Sequence, residues 1–170
     1  MKAELEKKFN EIYEGEGDAI FRFCLIRVSS REQALDITQE TFLRLWQNLS
    51  AEKEIQKMRS FLFTVAHRLI IDWYRKKKAV SLEKMQAQRE SGLDGIDGLR
   101  VESFEIGSEG RFVLEKIGDL PESFRDAVYL RFVEGLMPEE IAEVLNISAN
   151  LAGVRVSRGI AELRRICGEK

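Results

Sequence analysis

Between Phe61 and Lys78 the chain reads Phe-Leu-Phe-Thr-Val-Ala-His-Arg-Leu-Ile-Ile-Asp-Trp-Tyr-Arg-Lys-Lys-Lys, apolar and aromatic at first and then cationic at four consecutive positions. At helical spacing Leu62, Val65, Ala66, Leu69, Ile70 and Trp73 fall on one broad arc. Thr64, His67, Arg68, Ile71, Asp72 and Arg75 fall on the opposite one. The stretch is therefore a helix with one face for a core and one face for hydroxyl, imidazole and guanidinium groups. Its plain use is as a core helix whose solvated basic end complements the helix dipole. Its sharper use is as a surface for a partner with a phosphate backbone and exposed bases.

The same helical periodicity runs along the rest of the chain, with no run of strand alternation. The two prolines, Pro121 and Pro138, each stand where a helix can begin. A first helix over Glu4–Val28 carries Leu5, Phe9, Ile12, Tyr13, Ile20, Phe21, Cys24 and Leu25, with Gly15 and Gly17 as candidate interruptions. Ser29 or Ser30 then caps a second helix, with Glu32 or Gln33 three residues on. That helix, Glu32–Leu49, is expected to pack through Leu35, Thr38, Phe42, Leu45, Trp46 and Leu49. Asp36, Glu40, Arg44 and Gln47 share its other face, where Glu40 and Arg44 form an i,i+4 pair of favourable polarity. A polar segment, Ser50–Arg59, leads into the Phe61–Lys78 helix.

After Lys78 the composition changes. Ala79–Gly110 holds five glycines and seven acidic residues. Ser81–Arg89 can form a short helix, and the remainder reads as a flexible linker able to span up to ~100 Å. The expected fold is all-α: a helical domain over residues 1–78, a flexible acidic linker over 79–110, and a second helical domain over 111–170.

In the second domain Phe112, Val113, Leu114 and Ile117 open an amphipathic turn or two. Leu120-Pro121-Glu122-Ser123 starts a helix with apolar Phe124, Ala127, Val128 and Tyr129–Phe132, closed by Gly135 as a left-handed cap. Pro138 then starts a short helix with Ile141, Ala142 and Leu145 inward, and Asn146-Ile147-Ser148 connects it to a long helix, Ala149–Ile166. This is the pattern of a helix-turn-helix: small Ala142 at the crossing, Ile147 plugging the turn, Ser148 as N-cap. Ala152, Val156, Ile160, Leu163 and Cys167 make the expected inward stripe. Asn150, Leu151, Val154, Ser157, Arg158, Ala161 and Arg165 face outward. Leu151 and Val154 suit thymine methyls in a major groove, and Asn150 and Arg158 suit base edges or phosphates.

Net charge is −2, but it is unevenly spread. Residues 1–80 carry 15 Lys/Arg against 12 Asp/Glu, residues 81–110 carry 3 against 7, and residues 111–170 carry 9 against 10. Cations gather at Arg75–Lys78 and at Arg155, Arg158, Arg164 and Arg165. Such local patches govern DNA contact more than the total does, while the near-neutral total implies weak affinity of the free chain. The N-terminus alternates charge and has no apolar signal core, and no apolar run approaches a membrane span. Cys24 and Cys167 lie in apolar helical patterns without metal-ligand spacing and are expected to be reduced and buried. The chain is expected in the cytoplasm, with no cofactor, no metal site, no small-molecule substrate and no insertion into a membrane.

Two blocks then resemble a known family. Asp36-Ile-Thr-Gln-Glu-Thr-Phe-Leu-Arg-Leu-Trp46 and Phe61–Arg75 are similar to the first domain of bacterial extracytoplasmic-function (ECF) sigma factors. Leu120–Leu136, Glu140–Ser148 and Val154-Arg-Val-Ser-Arg-Gly-Ile160 are similar to the second, in the family's order and spacing. The resemblance implies a dissociable initiation subunit that binds core RNA polymerase and directs it to promoter DNA. It implies docking on the polymerase through Asp36, Glu40, Leu43, Arg44 and Gln47. It implies minus-ten contacts from Arg59, Ser60, Thr64, His67, Arg68, Ile71, Arg75, Lys76, Lys77 and Lys78. It implies minus-thirty-five contacts from Ser148, Asn150, Leu151, Val154, Arg155, Ser157, Arg158 and Arg165. With no large domain after Lys170, regulation is expected from a separate anti-sigma factor.

The sequence departs from the family at two places. Met137 stands where relatives carry a Ser or Thr cap, which weakens that helix start by ~1 kcal/mol. Ala149-Asn-Leu-Ala-Gly153 replaces the commoner Gly-Thr-Val-Lys, which leaves the preferred promoter open. A stand-alone helix-turn-helix regulator that dimerises through its N-terminal half accounts for the second domain, but not for the Asp36–Trp46 face or the acidic spacer. Catalysis has little support. The single histidine, His67, has Asp72 about 140° away around the helix, and no phosphate loop, metal cluster or nucleophile arrangement is present.

Overall fold

The structure is a computed structural model and describes residues 1–87 and 108–168. Among these residues all regular structure is helical: α1 (Lys2–Val28), α2 (Arg31–Ser50), α3 (Met58–Ala87), α4 (Ser108–Gly118), α5 (Glu122–Phe132), α6 (Pro138–Leu145) and α7 (Ala149–Ile166). They form two compact units. The first takes residues 1–55 and α3 from residue 65; the second takes residues 56–64 together with α4 to α7.

In the first unit α1 packs along α2. It runs unbroken through Gly15 and Gly17 because its C-terminal half buries Ile20, Phe23, Cys24 and Val28. Each such side chain contributes ~1.5–3 kcal/mol, more than a helical glycine loses. The helix stops at Ser29, which turns left-handed at φ 51° and donates its N–H to the Leu25 carbonyl. Ser30 restarts the chain as N-cap of α2, its hydroxyl accepting the Gln33 N–H at 3.4 Å.

The buried stripe of α2 is Ala34, Ile37, Thr38, Thr41, Phe42, Leu45 and Leu49. Leu35, expected inward, is 40% exposed instead. Two threonines take interior positions because each donates its hydroxyl back to a carbonyl four residues earlier, Thr38 to Ala34 at 2.7 Å and Thr41 to Ile37 at 2.8 Å. Phe9 meets Phe42 and Trp46 edge-on and stacks on Tyr13, closing α1 against α2.

Helix α3 does not end at Lys78. Residues 79–87, read from the sequence as the start of the linker with a short helix over Ser81–Arg89, continue it to 30 residues, or about 45 Å. The run Ala79–Lys84 contains no proline or glycine, so nothing in it breaks the helix. The other end of the expected linker, Ser108–Gly110, is the first turn of α4, and residues 88–107 between them lie outside the described residues.

The second unit is built on α5, α6 and α7, with α4 alongside α5 and α7. Its core is Leu114, Ile117, Leu120, Ala127, Val128, Tyr129, Leu130, Leu136, Ile141, Ala142, Val144 and Ala152. Gly159 completes the α5–α7 crossing: a Cβ there would lie 2.3 Å from Val128 Cγ2 and 3.2 Å from Phe124 Cβ. The inward stripe of α7 therefore runs through Ala152 and Gly159, with Val156, Ile160 and Leu163 half-buried beside it. Cys167, expected buried, caps α7 in solvent. Cys24 is buried, and desolvation pushes its thiol up to about 12, so it remains neutral and unreactive.

Candidate nucleic-acid interface

Ser148, Asn150, Leu151, Ser157, Arg158 and Arg165 are exposed on α7, and Val154 and Arg155 are half-exposed. What holds this face outward is the turn before it. Asn146 ends α6 in the left-handed region at φ 54°, and the Ile147 N–H reaches back to the Ala142 carbonyl at 3.0 Å. The Ser148 hydroxyl accepts the Leu151 N–H at 3.1 Å, so the cap itself sits at the start of the outer face. Pro138 begins α6 at the position where its missing N–H costs nothing. Met137, the weak cap of the sequence reading, is compensated from the other side: the Glu140 carboxylate accepts the Met137 N–H at 2.8 Å. Arg165 is not a bare cation, since its Nε donates to Glu162 at 3.0 Å, and that bond holds the Glu162 carboxyl below its ordinary range. Arg158 is exposed beside a shallow groove lined by Ala149, Asn150, Gly153, Val154, Ser157 and Arg158.

On α3 the expected DNA face is only partly exposed. Arg68, Arg75, Lys76, Lys77 and Lys78 project into solvent, and Thr64 and Ile71 are half-buried. Lys77 Nζ lies 4.9 Å from the Trp73 ring centroid, and Trp73 meets Tyr74 edge-on at 4.9 Å. Tyr74 donates its hydroxyl proton to the Arg27 carbonyl, which ties α3 to α1. Arg75 reaches Asp72 at only 4.0 Å with both side chains exposed, so it remains available to a phosphate.

Two expected contact residues are corrected. His67 is buried, not outward: it is 8% exposed, and its Nδ1 has no hydrogen-bond partner among the described residues. Burial, followed by the nearby charges of Arg27 and Arg68, lowers its pKa to about 4, so the imidazole is neutral. Ser60 is 1% exposed and donates its hydroxyl to Glu143 at 2.7 Å. Within the second unit, Lys57 also meets Glu143 at 3.3 Å, and Arg59 donates to the Glu134 carbonyl at 2.6 Å and to its carboxylate at 3.4 Å. The Ser60 and Lys57 bonds hold Glu143 below the ordinary carboxylate range. Glu134, buried at 5% exposure, also accepts the Tyr129 hydroxyl at 2.8 Å. No local signal marks the bonds of these glutamates to Lys57, Arg59 and Ser60, because those partners lie 75 to 86 residues away in sequence.

The α2 face is open as expected. Asp36 and Gln47 are exposed, Glu40 and Arg44 half-exposed, and Arg44 Nε donates to Glu40 at 3.1 Å. Leu43 is 49% exposed, and the displaced Leu35 lies two turns before it, so this charged face carries two leucines that water does not favour.

Both regions have known counterparts. Residues 12–80 match the family Sigma-70 region 2, and residues 113–163 match Sigma-70, region 4. The ECF RNA polymerase sigma factor SigW of Bacillus subtilis (strain 168) is 27% identical over 182 residues, covering 97% of this chain and 97% of its own. Among solved structures, the sigma factor RpoE in complex with the anti-sigma factor NepR from Bartonella quintana shares the fold at a TM-score of 0.71. That match is 18% identical and covers 95% of this chain and 98% of that one. CnrH, solved in complex with the cytosolic domain of CnrY, matches at a TM-score of 0.66 with 20% identity, covering 96% and 89%.

Proposed function

Because the chain belongs to the ECF sigma factors of bacterial RNA polymerase, we propose that its exposed faces divide the work of promoter recognition between them. The protein is a transcription initiation factor: it binds core RNA polymerase and directs it to promoters. The α2 face of Asp36, Glu40, Leu43, Arg44 and Gln47 docks on the polymerase. On α3, Thr64, Arg68, Ile71, Arg75 and Lys76–Lys78, with Arg59 at its start, engage the minus-ten element as it opens. The outer face of α7 reads the minus-thirty-five element as duplex. Function is assigned to residues 1–78 and 111–170 as the two working regions. The chain acts in the cytoplasm, catalyses nothing itself, and is held in check by an anti-sigma factor.

The observation that best supports this division is the α7 face, where a capped helix turns Asn150, Leu151, Val154 and Arg158 to solvent together. A structural helix gains nothing from exposing Leu151 at 39%, whereas a major groove offers thymine methyls to it. On α3, unpaired bases need stacking partners beside cations, which Trp73, Tyr74 and Lys76–Lys78 supply.

The docking assignment is tested by reversing one pair, Glu40→Arg with Arg44→Glu. The exchange keeps an i,i+4 ion pair, so helicity by circular dichroism is unchanged, while association with core polymerase falls at least about tenfold, the effect of ~1.4 kcal/mol. Undiminished association would remove this face from the docking surface.

A further inference from the structure

Helix α7 contains two interior glycines, and only one of them is required by the fold. Gly159 is where α5 crosses, and a Cβ would collide with Val128. Gly153 has nothing within 4 Å of the position a Cβ would take, and no positive φ demands glycine there. Glycine inside a helix is less favourable than alanine, because it loses more backbone freedom on folding. A residue that breaks a local preference with no packing return points to function.

The place of Gly153 supplies that function. It lines the shallow groove on the outer face of α7 together with apolar Ala149 and Val154 and polar Asn150, Ser157 and Arg158. We propose that Gly153 is a specificity-determining position, whose missing side chain leaves a notch for the C5 methyl of one thymine in the upstream promoter element. Of the groups a major-groove edge presents, the thymine methyl alone is apolar, and so it suits the open space at Gly153 beside Ala149 and Val154. Asn150 and Arg158 at the rim then fix the register of the helix on neighbouring bases or phosphates. The proposal rests on the reading that α7 contacts the upstream element, and adds to it the residue that selects one base.

The test is initiation by core polymerase with this protein, on a promoter selected from randomised templates and then scanned with deoxyuridine in place of each upstream thymidine. Wild type loses about fourfold at one position, the worth of one buried methyl. Gly153→Ala initiates about fourfold less well on the unmodified template and loses nothing more at that position. Its second-unit thermal unfolding rises by a few degrees, because the fold does not need the glycine. A Gly153→Ala protein that initiates and responds to the scan like wild type overturns the proposal, as does one that is less stable. Asn150→Ala and Arg158→Ala separate the two levels of the account. If they relax upstream selectivity and Gly153→Ala does not, the notch alone is wrong. If all three leave selectivity intact, α7 does not read the element.

Discussion

His67 shows how one buried atom changes the reading of a surface. By helical spacing it belongs with Thr64, Arg68 and Ile71, yet the imidazole is enclosed while Arg68 beside it is exposed. A polar arc in sequence marks only polarity, and periodicity does not say which of its edges a neighbouring helix covers. Leu35 is the converse case, an apolar residue left outside because Ala34 and Ile37 took the interior. The histidine carries a stability consequence. Its folded pKa of about 4 lies below the ordinary 6.5, so the unfolded chain binds the proton more readily. Stability from the neutral imidazole is full above pH 6.5 and is lost as pH falls toward 4. Urea unfolding of the first unit, followed by Trp46 and Trp73, should lose about 2 kcal/mol between pH 7 and pH 5. His67→Gln should flatten that slope; an unchanged slope in the variant would show that the imidazole is not its source.

At the scale of elements, the parts legible in advance were those with local chemistry. Ser30 and Ser148 cap their helices with their own hydroxyls, Gly135 turns at φ 72°, and Pro138 opens α6. The helix-turn-helix follows from such neighbours, and so was readable. Features set by distant partners were not. The acidic partners of Lys57, Arg59 and Ser60 come from Glu134 and Glu143, and the length of α3 depends on the absence of a breaker, a weaker signal than its cations. Gly159 was visible only as a residue type; its reason is the face of α5. Overpacking that crossing is expected to cost ~1–3 kcal/mol, less ~1 kcal/mol regained in helix propensity. Gly159→Ala should therefore destabilise the second unit by up to about 2 kcal/mol in thermal unfolding, and Val128→Ala should rescue it in part. If the two losses simply add, the close approach is not what the glycine serves.

For the whole molecule, function depends on bringing exposed faces to the polymerase and to promoter DNA in one complex. With a net charge of −2 and its cation clusters limited to short stretches of α3 and α7, the free chain is expected to hold DNA more weakly than an autonomous regulator does. Among the described residues no helix is long and apolar enough to cross a membrane. The most direct measurement is run-off transcription with core RNA polymerase on templates randomised across the promoter, alongside duplex binding by the chain alone. The account predicts initiation only when chain and core are both present, from templates sharing two sequence blocks at a fixed spacing, with weak and unselective binding by the chain itself. Tight sequence-specific duplex binding without core, and no initiation with it, would contradict the account and identify a stand-alone regulator instead.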